Sequence, residues 1–292
     1  MLLSHHVAPP DFDPSIPHMS FNPVPDYHMH TPRCNHAIGC VQEYADAAIR
    51  KGLHEIGMSD HSPMPDDFDK AWRMDRSEIP DYLSEVEHVR DVCKGQLDVR
   101  IGLEADFHPG TEDYVKAMLA SYDWDYVIGS VHYIDDWGFD NPDTIDTWEQ
   151  WNIEDAYCAY FDLVTRSAEA RMFDIIGHPD LIKKFGHRAP TNSARIFAAE
   201  EHMLQTILAS GAALEISSAG LRKPVGEIYP HERIVKRAAA LAIPFAFGSD
   251  AHAPTEVGHG MDACLSVLAS CGVREIASFK ARKRSMQAII RA

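Results

Sequence analysis

Residues 26 to 36 read Asp-Tyr-His-Met-His-Thr-Pro-Arg-Cys-Asn-His, which places His28, His30 and His36 in one short stretch. Side chains two apart on a β-strand share a face. His28 and His30 can therefore converge on one point if this stretch is a strand end, as the following Thr31-Pro32 indicates. An isolated HxH is weak evidence, but residues of the same kind recur at the end of nearly every apolar run downstream. His61 ends 55–61, Glu104 ends 99–104, His132 ends 126–132, His178 ends 173–178, and Asp250 and His252 close 244–252. Imidazole and carboxylate are the ordinary ligands of divalent transition ions. Seven histidines and two carboxylates exceed what one ion takes, since a catalytic ion uses three protein ligands and a water. They suit a di- or trinuclear site in which a carboxylate bridges. A single such histidine is ordinarily a buried, hydrogen-bonded side chain; nine such residues at matching places are poorly explained that way.

The elements that would hold these residues repeat. Each short apolar run is followed by an amphipathic stretch. Helices are expected at Val41 to Lys51, stopping at Gly52, and at Ser77 to Lys94, with Ser77 as N-cap and Pro80 in the first turn. Others are expected near 111–121, 154–171, 192–209, 231–241 and 256–270, with a sixth apolar run at 213–218 and a basic tail to 292. An insertion from Asp135 to Asn152 carries Trp137, Trp148 and Trp151. Seven strand–helix units with connections of crossover length imply parallel strands. The expectation is an α/β fold, a single-domain closed or nearly closed βα barrel, whose site lies at the C-terminal ends of the strands. An open doubly wound sheet fits less well, because it gathers ligands only near its switch point.

Composition bounds the partners. With 27 Lys and Arg against 44 Asp and Glu, the formal net charge is −17. Such a surface repels polyanions, so nucleic acid is not an expected partner, although a metal-loaded pocket can still be locally positive. No apolar run has membrane-spanning length and no secretory signal is visible, so no membrane partner is expected. Cysteines 34, 40, 93, 158, 264 and 271 form no CxxC pair, which favours free thiols in a cytoplasmic, reducing setting. Residues 1–25 are proline-rich and read as an N-terminal extension, its His5, His6 and His18 as surface residues, with 26–292 as the catalytic domain. No GxGxxG or GxxxxGK[ST] loop occurs, which argues against nucleotide-dependent transfer. Oligomeric state leaves no mark.

In order along the chain, HxH, a histidine eight residues from its first member, SDH, GLE, GSVH, GHPD and GSDAH resemble the PHP (polymerase and histidinol phosphatase) family. The resemblance runs from 26 to about 260. It is closest to that family's histidinol-phosphatases, through His61-Ser62-Pro63, Trp72-Arg73-Met74 and Tyr126 to His132. Met29 departs from the small polar residue usual between the two histidines. The resemblance implies a distorted (β/α)7 TIM-like barrel and the ligand set of a trinuclear site, taking two or three Mn, Fe or Zn ions. By resemblance, His28, His30, Glu104 and Asp250 hold one ion, Glu104, His132 and His178 a second, and His36, His61 and His252 a third. The implied enzyme is a hydrolase of phosphoric monoesters, cleaving L-histidinol phosphate in histidine biosynthesis.

Two ions about 3.5–4 Å apart can activate a shared water for in-line attack on phosphorus. Glu104, Asp250 and His252 are the expected catalytic residues, with Asp250 as the proton shuttle to the leaving alcohol. Arg222 is the first choice for clamping phosphate, then Lys183 or Lys184, then Arg33. Asp66, Asp67, Asp106 and Asp135 are candidate partners for the substrate's ammonium and imidazole. Another small phosphate ester or a nucleotide is the alternative substrate, and a non-catalytic metal-binding domain is the remaining reading.

Overall fold

The short apolar runs form strands because each is rich in β-branched or aromatic residues and ends at glycine or a polar turn. A computed structural model describes residues 21–290. Residues 1–20, with His5, His6 and His18, lie outside the described residues. The strands are β1 (Glu55–Met58), β2 (Asp98–Asp106), β3 (Tyr126–Ser130), β4 (Tyr133–Ile134), β5 (Trp137–Gly138), β6 (Ile175–Ile176), β7 (Ala213–Ser217), β8 (Phe245–Gly248), β9 (Glu275–Lys280) and β10 (Lys283–Ala288). Six of them make one curled parallel sheet in the order β1-β2-β3-β6-β7-β8.

The seventh position is filled by residues 26–30. Asp26 bridges to Ile56 beside β1, and Met29 bridges to Ala251 just beyond β8. Gly57 N donates to Asp26 O (2.8 Å), while Tyr27 N donates to Phe247 O (3.1 Å) and Ala251 N to His28 O (3.0 Å). This segment pairs with both sheet edges and closes the ring into a distorted seven-membered barrel. Pro25 and Pro32 flank it and limit its ladder to isolated bridges, since proline lacks the donor.

Among the described residues, seven α-helices surround the sheet: α1 (Val41–Arg50), α2 (Ile79–Val92), α3 (Glu112–Leu119), α4 (Ile153–Glu169), α5 (Ala194–Ser210), α6 (Glu232–Ala240) and α7 (Met261–Ser270). Their buried positions recur at helical spacing, as with Val41, Tyr44, Ala45 and Ala48 in α1. Two boundaries differ from expectation. Ser77 is not the cap of α2: the Asp75 carboxylate accepts from Ser77 N and starts a 3-10 turn over Arg76–Glu78 that leads into the helix. The last helix begins at Met261 rather than 256, because Gly258 and Gly260 adopt left-handed backbone before it.

The basic tail is not a tail. β9 and β10 form an antiparallel hairpin whose Ala277 and Phe279 pack into the barrel with Tyr27, Tyr126, Ile128, Ile175, Ala213 and Ala246. Most of these come from the starts of strands, so the hairpin plugs the end of the barrel opposite the ligand-type residues. Its charges face outward while Ile276, Ala277 and Phe279 are buried, a short apolar set too irregular to stand out in sequence. Residues 21 and 22 lie against it, with Phe21 bridging to Ile290. The insertion is also folded: Trp137 packs on Trp148 and stacks on Trp151 at 5.4 Å. All six cysteines are free.

Candidate metal centre

Because all these strands run the same way, their C-terminal ends open on one mouth, and the nine candidate residues meet there. Glu104, at the buried end of β2, is the hub. Its Oε2 lies 3.2 Å from His28 Nε2, 3.0 Å from His61 Nδ1 and 3.6 Å from His30 Nε2. Its Oε1 lies 3.0 Å from His178 Nε2 and 3.6 Å from His132 Nε2. Asp250 Oδ1 lies 3.1 Å from His30 Nε2 and 3.5 Å from His252 Nδ1, and the Nε2 atoms of His36 and His252 face each other at 2.9 Å. His28, His30 and Asp250 form one close group of ligand atoms, and His36, His61 and His252 another. Asp250 reaches its place with left-handed backbone, φ +52°.

Outside these nine, a shell of buried carboxylates orients the rings. Glu215 Oε1 is 2.6 Å from His28 Nδ1, and its Oε2 accepts from His178 N. Asp106 Oδ1 is 2.8 Å from His132 Nδ1, and its Oδ2 accepts from Arg73 Nη2. Asp60 accepts from Thr31, and Asp26 accepts from Ser249 N and Gly258 N. Such partners set the tautomer and basicity of metal-binding histidines. The sequence reading missed Glu215. Its signal was present, a carboxylate inside the apolar run Ala213-Leu214-Glu215-Ile216.

Burial disfavours charge on His30, but Asp250, Asp60 and Glu104 outweigh it and hold its pKa up to about 9. His132 is likewise held up to about 9, against burial, by Asp106 and Glu104. Burial, with cationic His30 and His132 nearby, pushes His61 down to about 3. Glu104 and Asp250 stay well below the carboxylate range despite burial, held there by the histidines. His28 Nε2, His30 Nδ1, His61 Nδ1, His178 Nδ1 and Glu104 Oε2 are buried yet make no hydrogen bond. Buried polar atoms normally find partners. Orphaned imidazole nitrogens around a central carboxylate are the donor set that divalent ions complete, so the residues fit such ions.

A cavity of about 450 Å³ lies over the cluster. Its cations are Arg73, Lys184 and Lys223, its carboxylates beyond the cluster include Asp69 and Asp140, and Trp72 and Phe185 add aromatic wall. Arg73 is engaged by Asp69 and Asp106, and Lys184 by Asp140. Lys223 Nζ has no ion-pair or hydrogen-bond partner among the described residues. Burial holds its pKa below the usual lysine value.

The residues expected to clamp phosphate do not line this cavity, Lys184 excepted. Arg222 donates to the carbonyls of Ser249 and Asp250, Lys183 is buried against Asp180 and Glu227, and Arg33 pairs with Glu85 at 2.6 Å. Of the four candidate acidic residues, Asp66, Asp67 and Asp135 lie off the cavity wall, and Asp106 is spent on His132 and Arg73. Arg222 and Lys223 are adjacent in sequence, and only the end of the Ala219–Arg222 turn decides which one reaches the cavity.

The PHP domain family matches residues 26–219. A probable histidinol-phosphatase of Deinococcus radiodurans is 46% identical over 258 residues, covering 88% of this chain and 97% of that protein. The histidinol-phosphatase of Bacillus subtilis is 30% identical, covering 82% of this chain and 97% of its own. Among solved structures, a Lactococcus lactis histidinol phosphate phosphatase complexed with zinc, L-histidinol and phosphate superposes with a TM-score of 0.77. It is 21% identical and covers 90% of this chain and 98% of that one.

Proposed function

The chain belongs to the PHP domain family, and from that premise we propose that it is a histidinol-phosphatase, releasing phosphate from L-histidinol phosphate. The observation that carries the reading is the convergence of the nine donor residues, Glu104 at their centre, beneath an open cavity whose Lys223 has no ion-pair partner among the described residues. A purely structural metal site is closed; this one has a mouth. The donors suit two or three divalent ions, zinc, manganese or iron, which His28, His30, His36, His61, His132, His178, His252, Glu104 and Asp250 would hold. When bound, the ions supply positive charge for the phosphoryl oxygens and a lowered pKa for the attacking water.

The chain's own residues do the rest. Lys223 holds a free phosphate oxygen. Asp250, whose side chain is 15% exposed, is the candidate to take the proton that the attacking water loses and pass it to the departing alkoxide, a poor leaving group unaided. Asp69 and Asp140 keep Arg73 and Lys184 in place on the cavity wall, and Trp72 and Phe185 offer faces for the substrate's imidazole. The shell carboxylates Glu215 and Asp106 keep His28 and His132 oriented. In this reading residues 26–292 form the catalytic domain, 1–25 are its extension, and the six free thiols support a cytoplasmic setting.

The test is phosphate release by metal-loaded protein from L-histidinol phosphate beside nucleotides, sugar phosphates and an aryl phosphodiester, with Asp250→Asn as control. A preference for histidinol phosphate that disappears in the variant is expected. Turnover of the other esters with none of histidinol phosphate would remove the substrate assignment and keep the metal chemistry.

A further inference from the structure

Arg222 leaves the 3-10 turn after β7 and runs beneath the last strand end. Its side chain is 16% exposed and does not line the cavity. One nitrogen, Nη2, donates to both Ser249 O (2.9 Å) and Asp250 O (3.0 Å). Nε lies 3.3 Å from Glu256 Oε1, and the other oxygen of that carboxylate accepts from His252 N at 2.9 Å. Nη1 lies 3.5 Å from His259 Nδ1. Between them, one guanidinium and one carboxylate hold three backbone groups of the turn Ser249-Asp250-Ala251-His252.

That turn needs holding. It follows the last residue of β8; Ala251 O still accepts from His30 N, but among the described residues no backbone donor reaches Ser249 O or Asp250 O. Asp250 sits there in the left-handed region, which an L-residue adopts only at a cost. The planar fork of arginine is suited to gripping neighbouring oxygens in fixed geometry, which a lysine ammonium cannot reproduce.

We infer that Arg222 and Glu256 are positioning residues: an ion-paired brace that fixes the backbone carrying Asp250 and His252. Adjacent residues then divide the work, with Arg222 turned under the metal-ligand turn and Lys223 toward the substrate. The brace itself stands on geometry; only its kinetic signature rests on the phosphatase reading.

The experiment compares wild type with Arg222→Lys, Arg222→Gln, Glu256→Ala and the Arg222→Gln/Glu256→Ala double variant, using Lys223→Gln as contrast. Zinc affinity is measured by competition with a chromogenic chelator, and kcat and KM on L-histidinol phosphate at saturating zinc. Arg222→Gln and Glu256→Ala should each weaken zinc binding roughly tenfold or more, as loss of ligand-orienting partners does. The double variant should lose little beyond either single one, since the pair acts as a unit. kcat should fall with KM nearly unchanged, and Arg222→Lys, the mildest change, should not restore zinc affinity. Lys223→Gln should raise KM and leave zinc affinity intact. Unaltered zinc affinity in Arg222→Gln and Arg222→Lys would overturn the brace, whether KM rises or not. If wild type leaves histidinol phosphate untouched, the functional reading fails alone, because the zinc competition still decides the brace.

Discussion

Glu215 reaches His28 and the backbone of His178 at once, so it orients two of the rings around Glu104 without being among the nine. Glu215→Gln should lower metal affinity about 10–100-fold, the usual cost of losing such a partner, measurable by chelator competition. Unchanged affinity would mean that the His28 ring is held by packing instead. Protonation gives a second prediction. In the metal-free protein His30 and His132 titrate near 9, above the ~6.5 of an unfolded histidine. Their contribution is full below about pH 6.5 and is lost as pH rises through 9. His61, held near 3, acts oppositely: its contribution is present above about pH 6.5 and is lost as pH falls toward 3. The melting temperature of chelated protein should therefore peak near neutrality, and added zinc should flatten the alkaline decline by replacing the protons. A melting curve with no alkaline decline in chelator would contradict the charge assigned to His30 and His132.

At the scale of elements, close approach decides where glycine must stand. A Cβ on Gly248, the last residue of β8, would lie 2.0 Å from Glu215 Oε1 and 2.7 Å from His28 Cβ. Gly248→Ala should push Glu215 off His28 and reduce metal retention, while costing about 1–3 kcal/mol in stability from overpacking. Equilibrium unfolding with and without zinc separates the two effects. Gly102, in the middle of β2, faces the Tyr126 ring just as closely, with a Cβ 2.2 Å from Cζ, and meets none of the nine donor residues there. Gly102→Ala should lose stability and spare metal affinity. Helices were legible because each buries one face at a regular period, as in α1, and strands because each is a short, wholly buried apolar run, as in β3. Their starts were less so: Asp75 and Ser77 are both good caps, and only the 3-10 turn between them selects Asp75.

For the molecule as a whole, the barrel is sealed at one end by the C-terminal hairpin and opened to solvent at the other over the metal centre. Phe279 packs on Tyr27 and Tyr126 in the sealed end. Phe279→Ala should destabilise by about 3–5 kcal/mol, lowering the unfolding midpoint in urea, yet zinc affinity of the folded protein should hold because the plug is remote from Glu104. The sequence by itself determined the strand-end residues and the parallel barrel that gathers them, because a short apolar run and a crossover's length are local properties of the chain. His28, His61, Glu104 and Asp250 could be picked out one run at a time. Tertiary structure alone decided that residues 26–30 close the ring, that a basic segment is a plug, and that Lys223 rather than Arg222 lines the cavity. Those outcomes depend on which groups face one another across distant parts of the chain, such as Arg222 beneath Asp250 or Phe279 against Tyr27, and no local period encodes such meetings.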